Sequence, residues 1–144
     1  MEEVGRTLGF PTREDVVNLN RRHIQESGGL FSGRDNLRSP GSLEWVLEAI
    51  QCPLSDVDLY PTLVEKAATL AWVIISGHVF NDGCKRTGMS LLETLLESHG
   101  YELKATDDEV IEVALRIAKG QAEQSFSRED FVQWVRDKLG LSVA

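Results

Sequence analysis

Leu63-Val64-Glu65-Lys66-Ala67-Ala68-Thr69-Leu70-Ala71-Trp72-Val73-Ile74-Ile75, lying between Pro61 and Gly77-His78, is the stretch on which the fold turns. Its apolar residues fall almost all the way round a helical wheel, and such a helix belongs at the buried centre of a domain. The segments on either side read as helices to pack around it. Before it, a helix is predicted from Thr12 to Ser27, with Thr12 as N-cap, Glu14 and Asp15 favouring the first turn, and Gly28-Gly29 ending it. Residues 28–42, rich in Gly, Ser and Pro, read as a loop. Ser39-Pro40 supplies a cap and a first-turn proline for the next helix, through Trp45, Leu47 and Ile50. Cys52 to Tyr60 is irregular.

Beyond residue 78 the pattern continues. A helix begins near Cys84 or Lys85, carries Leu91, Leu92, Leu95 and Leu96, and stops at Gly100. Thr106-Asp107-Asp108 opens another, with Val110, Ile111, Val113, Ala114, Leu115 and Ile117, ending at Gly120. Ser127-Arg128-Glu129-Asp130 caps the last, which runs through Phe131, Val132, Trp134 and Val135 to Gly140. Strand signal is confined to Tyr101-Glu102-Leu103. The reading is all-α, a single compact domain over 1–144.

Bulk properties narrow the function. A chain of 144 residues suits one core. With 42% apolar and 26% charged residues it has the composition of a soluble globular protein. No run approaches the ~18 apolar residues of a membrane span. The acidic start, Met1-Glu2-Glu3-Val4-Gly5, has no apolar signal core, so a cytoplasmic protein is expected. Cys52 and Cys84 are far apart and read as free thiols, and His23, His78 and His99 show no zinc-ligand spacing with them. A net charge of −8 opposes general nucleic-acid binding, which needs clustered Lys and Arg. A polyanion site must therefore be local.

One local site stands out: His78-Val79-Phe80-Asn81-Asp82-Gly83-Cys84-Lys85-Arg86-Thr87, between the buried helix and the next. A glycine followed by the unpaired N–H groups of a helix N-terminus attracts anions. Lys85 and Arg86 in that first turn oppose the helix dipole, a conflict that a bound phosphate resolves. Asp82 beside a phosphate suits Mg²⁺, held through oxygen or water. His78 carries an imidazole, a side chain suited to removal of a proton from a hydroxyl. Phe80 has no polar role and reads as an anchor in the core. The same residues also fit a plain surface turn, with His78 a helix-end histidine and Lys85 and Arg86 paired to acids such as Glu93.

These residues resemble the signature of Fic/Doc proteins in its Doc form, His-x-Phe-x-Asp/Asn-Ala/Gly-Asn-Lys-Arg. His78, Phe80, Asp82, Gly83, Lys85 and Arg86 match, and Thr87 follows. Leu19-Asn20, Gly28-Gly29, Arg34-Asp35 and Glu48-Ala49-Ile50 are similar upstream, so the likeness spans roughly 12–135. The resemblance implies a compact bundle of about six helices. It implies His78 as the base toward a Ser, Thr or Tyr hydroxyl of a target protein and Asp82 as the Mg²⁺ ligand. Gly83 and the N–H groups after it would form the anion hole, with Cys84 standing among the phosphate-binding positions and Lys85 and Arg86 on the phosphates of ATP.

Fic members that transfer AMP carry a second glycine where this chain has Lys85. Lysine there, as in Doc, goes with an inverted ATP and transfer of the terminal phosphoryl group. The resemblance therefore implies a Doc-like toxin that phosphorylates a target, typically elongation factor Tu, and is held in check by a small antitoxin. AMP transfer is the runner-up. Cys84 departs from the family's asparagine, which leaves three readings open: a tolerated change, a degenerate site that only binds, and a redox-sensitive thiol. No inhibitory Ser/Thr-x-x-x-Glu helix is evident, since Gly100 interrupts Ser98 and Glu102. Loops 28–42 and 52–60 are candidates for holding the target segment, and Trp45 or Trp134 for an antitoxin contact.

Overall fold

The structure is a computed structural model that describes residues 10–51, 62–119 and 126–141. Along the chain come α1 (Arg13–Ser27), α2 (Pro40–Gln51), α3 (Leu63–Ser76), α4 (Cys84–Glu97), β1 (Tyr101–Leu103), α5 (Asp107–Lys119), α6 (Arg128–Lys138) and β2 (Leu139–Leu141). The fold is the expected helical bundle. Among the described residues four helices start at capping boxes: Thr12 with Asp15, Thr62 with Glu65, Thr106 with Glu109, and Ser127 with Asp130. In each, the hydroxyl accepts from the third helical N–H while that residue's carboxylate accepts from the cap N–H, which fixes where the chain turns.

Helix α3 is central because it feeds two adjoining cores. Its Ala67, Ala71 and Ile75 face Met89 and Leu92 of α4, Ile117 of α5 and Phe131 of α6. Its Leu70 and Ile74 join Val16 of α1, Val46 and Ile50 of α2, and Val79 and Phe80 of the following loop. Helices α3 and α4 lie very close: a Cβ at Gly88 would stand 2.7 Å from Cγ1 of buried Ile75. That proximity fixes both ends of the loop joining them.

One boundary differs from expectation. The last helix ends at Lys138, and Leu139-Gly140-Leu141 pairs antiparallel with Tyr101-Glu102-Leu103. Two three-residue strands need each other's N–H and C=O groups, so neither signals strongly alone. Ser98 stands at the end of α4 and Glu102 in β1, so these two residues do not share a helix. The stretch 52–60 and Gly120 fall outside the described residues. Among the described residues, no helix is long and apolar enough to cross a membrane.

Ile74 is fully buried in α3. Ile74→Ala is expected to lower the unfolding free energy by about 2–5 kcal/mol, through lost transfer energy and the cavity left behind. Urea denaturation measures this, and a loss below ~1 kcal/mol would remove α3 from the centre of the fold.

Candidate active site

The segment from Gly77 to Gly83 leaves α3, crosses the bundle and enters α4. The chain reverses at His78, which adopts φ +48 with its side chain exposed. This is the left-handed region that histidine enters more readily than most side chains. Its N–H donates to the Ile75 carbonyl at 3.3 Å, so the helix end itself holds the turn. Val79 and Phe80 then plunge into the core, at 0% and 1% exposure, and hold the loop down. Phe80 is the expected anchor. The Val79 carbonyl accepts from the N–H groups of Arg38 and Ser39, and Leu37 bridges Phe80 as an isolated antiparallel pair. Loop 28–39 is thereby fastened along the loop that carries His78.

A buried amide pair governs the second half of the loop. Asn20 on α1 donates through Nδ2 to the Asp82 carbonyl at 2.9 Å and to Thr87 Oγ1 at 3.1 Å. Its Oδ1 accepts from Asn36 Nδ2 at 2.9 Å. Asn36 Oδ1 in turn accepts from the Ser32 N–H, and the Asn36 carbonyl accepts from the Asn81 N–H. Asn20, Asn36 and Thr87 are all fully buried. Asn36 was not singled out in the sequence; its signal is an Asn after Gly-Arg-Asp in a loop, a residue type that tolerates the φ of +58 it adopts.

Asp82 is clasped by backbone. Its Oδ2 accepts from the Leu30 N–H at 2.9 Å and its Oδ1 from the Gly83 N–H at 2.8 Å. The Leu30 bond is the main reason its carboxyl titrates below its usual value, with the Gly83 bond, Arg86 and Lys85 adding to it against some burial. Gly29 makes this approach possible: at φ +128, a Cβ there would meet Asp82 Oδ2 at 2.8 Å. Gly83, at φ +80, turns the chain into α4 with no side-chain cap. The first N–H groups of α4 are left open, unlike those of the capped helices.

Lys85 is exposed at this open end. Arg86 donates from Nη2 to the Gly28 carbonyl at 3.2 Å, a second tie between loop 28–39 and α4. The pairing of these cations with Glu93 does not occur. Burial, with Glu97 and Asp107 nearby, instead pushes the Glu93 carboxyl up. Near Arg86, His23 shares a hydrogen bond with Ser90 Oγ at 2.9 Å, and burial followed by Arg86 holds its ring below the usual value.

Cys84 faces inward. Its Sγ accepts from the Phe80 N–H at 3.3 Å and donates to the Phe80 carbonyl at 3.2 Å. A thiol therefore closes the loop in the two-way manner an asparagine amide would, with weaker bonds. Burial raises its pKa despite the Phe80 bond and nearby Lys85 and Arg38. Trp45 is half-exposed on α2, whereas Trp134 stacks on Phe131 and belongs to the core.

The loop thus gathers His78, Asp82, Gly83, Lys85 and Arg86 at one end of the bundle, with Cys84 beneath. Residues 10–96 match the model of the Fic/DOC family. The chain belongs to the Fic/DOC family. It is similar to the toxin Doc of Mycolicibacterium smegmatis, 33% identical over 91 residues that cover 62% of this chain and 70% of that protein. It is also similar to the protein kinase Doc of Escherichia phage P1, 27% identical over 90 residues, covering 62% and 68%. The Fic/DOC match ends within α4, so β1, α5, α6 and β2 lie beyond it.

Two expectations follow from the site. Asp82 has a lowered folded-state pKa, so its contribution to stability is complete above 3.8 and fades as pH falls through the lower folded value. Asp82→Asn should be less stable than wild type near neutral pH, and the gap should narrow below pH 3.8, followed by chemical denaturation across pH. Cys84, with its thiol pushed up, should alkylate more slowly than glutathione at pH 7.4, as read by mass spectrometry of its peptide. Faster labelling would return the redox-sensitive reading.

Proposed function

We propose that this Fic/DOC protein is a Doc-like toxin that moves the terminal phosphoryl group of ATP to a hydroxyl of a target protein, with His78 as general base. The observation that carries the reading is the open N-terminus of α4, with Lys85 and Arg86 in its first turn and His78 and Asp82 on the loop entering it. Backbone donors, two cations and a helix dipole converge where a phosphate would sit.

In the reaction, the acceptor hydroxyl oxygen bonds to the γ-phosphorus and its proton passes to a ring nitrogen of His78. The bond from the γ-phosphorus to its bridging oxygen breaks, and ADP leaves with that electron pair. Catalysis then consists of positioning and charge stabilisation by the α4 N–H groups, Lys85 and Arg86. A Mg²⁺ ion fits one residue, Asp82. Each of its oxygens accepts one backbone N–H and keeps a further lone pair, and its lowered pKa keeps it ionised. Mg²⁺ commonly takes one or two carboxylates plus substrate phosphates, so a lone aspartate suffices. Bound there, it would neutralise phosphate charge.

Cys84 is read as a tolerated change. Its side chain spends both hydrogen bonds on Phe80, so the phosphate-binding donors are backbone groups that the substitution leaves in place. The site is then an active one. A toxin of this kind implies a small protein antitoxin as partner, beside the target that supplies the Ser, Thr or Tyr hydroxyl.

The test is a transfer assay with Mg²⁺ and bacterial lysate, supplied in parallel with α- and γ-labelled ATP. Label from γ-ATP alone is expected, falling by about 10²–10⁴ in His78→Ala. Label from α-ATP would replace this reading with AMP transfer. Cys84→Asn should gain far less than the ~10²–10³ that restoring an anion-hole donor brings. An inactive wild type beside an active Cys84→Asn would make the site degenerate.

A further inference from the structure

Helices α1 and α4 meet through two polar rungs, spaced three residues apart on both helices: Asn20 with Thr87, and His23 with Ser90. The first belongs to the buried amide network. The second, 2.9 Å from His23 Nε2 to Ser90 Oγ, is only partly buried and takes no part in the loop chemistry. Ser90 stands one turn beyond Arg86 on α4. Arg86 in turn reaches back to the Gly28 carbonyl at the end of α1, five positions past His23 and about 7.5 Å further along the axis. Imidazole and guanidinium thus lie against the same end of α1, within about a Debye length of each other. The charges acting on the ring are Arg86 from α4 and Glu26 and Arg22 from α1, Arg86 the strongest of them. A hydroxyl both donates and accepts, so Ser90 serves Nε2 whether or not that nitrogen carries a proton. Charging the ring therefore breaks no hydrogen bond. Burial and repulsion from the two arginines oppose it, and a bound anion counters the repulsion.

We infer that His23 is a reserve cation of the phosphate site: a polyphosphate bound at the N-terminus of α4 draws a proton onto its ring. The inference rests on the reading of that terminus as the phosphate site. The role is electrostatic and exerted beside Arg86, not catalytic. Its sign follows from linkage. In the free protein, burial and Arg86 hold the ring below its usual pKa, so it is neutral at neutral pH. A polyphosphate offsets Arg86, lifts that restraint and takes up a proton as it binds. Affinity then gains as pH falls through the window between the bound and the free value, and gains nothing well above it. In a chain of net charge −8, the proton adds positive charge only when the anion is present.

Proton NMR follows the imidazoles of His23, His78 and His99 from about pH 5 to about pH 8.5, with and without saturating inorganic tripolyphosphate. His23→Gln assigns the His23 signal. Glutamine stays uncharged and can still bond Ser90, and an unchanged melting temperature verifies the fold. The midpoint of the His23 titration should move up by at least about half a pH unit on binding, while that of His99, beyond the far end of α4, stays in place. In calorimetry, His23→Gln should match wild type at about pH 8 and bind tripolyphosphate about threefold or more weakly near pH ~6, the same half unit read as affinity. The proton that the ligand itself gains near pH ~6 affects both proteins alike. An unmoved His23 midpoint, with binding that Lys85→Ala weakens, would overturn the inference and leave the phosphate site standing. Equal affinity of His23→Gln and wild type near pH ~6 would do the same. No binding of tripolyphosphate, or binding that Lys85→Ala leaves intact, would remove the phosphate site and the inference with it.

Discussion

A single buried amide sets the geometry on which the rest depends. Asn20 reaches from α1 to hold the Asp82 carbonyl and the Thr87 hydroxyl, and so ties the end of the loop to the first turn of α4. Buried amides are tolerable only when fully partnered, and Asn36 completes the set from loop 28–39. Because the side chain of Asp82 is clasped by Leu30 and Gly83 while its carbonyl is clasped by Asn20, the carboxylate has little freedom to turn. A loop of seven residues is thereby made nearly as rigid as the helices it joins, and preorganised donors depend on such rigidity.

Much of this was legible in the sequence because the signals are local. Thr12, Ser127 and the all-round apolar pattern of 63–75 carry their own physics, and the helices lie where those signals put them. The site was legible for the same reason: His78 to Arg86 is one continuous segment. Contacts across the sequence were not. Asn36 meets Asn20 across 16 residues, Asp82 meets Leu30 across 52, and Arg86 meets Gly28 across 58. Gly29 looks like a helix terminator, yet it is also the opening through which Asp82 approaches. Of the short β1–β2 pair the weak signal at Tyr101–Leu103 was legible, whereas Leu139–Leu141 escaped because three residues hold too little pattern to separate a strand from a fraying helix end.

Cys84 shows how a departure from a motif is weighed by where the side chain points. Had it faced the open end of α4, a phosphate would have lost a donor and the electropositive terminus would have favoured a thiolate. It faces Phe80 instead, where burial opposes ionisation and outweighs Lys85 and Arg38. The change then costs something in loop bracing, since sulfur makes weak hydrogen bonds. That cost falls on a loop already held by Phe80 in the core and by the two asparagines.

The charges at the start of α4 remain the most telling local conflict. Lys85 and Arg86 oppose the dipole of their own helix, and Gly83 leaves that helix uncapped. Arg86 is partly relieved by the Gly28 carbonyl, but among the described residues Lys85 has no comparable tie. Four other helices of the chain are closed by reciprocal caps. An anion at that terminus would remove the conflict.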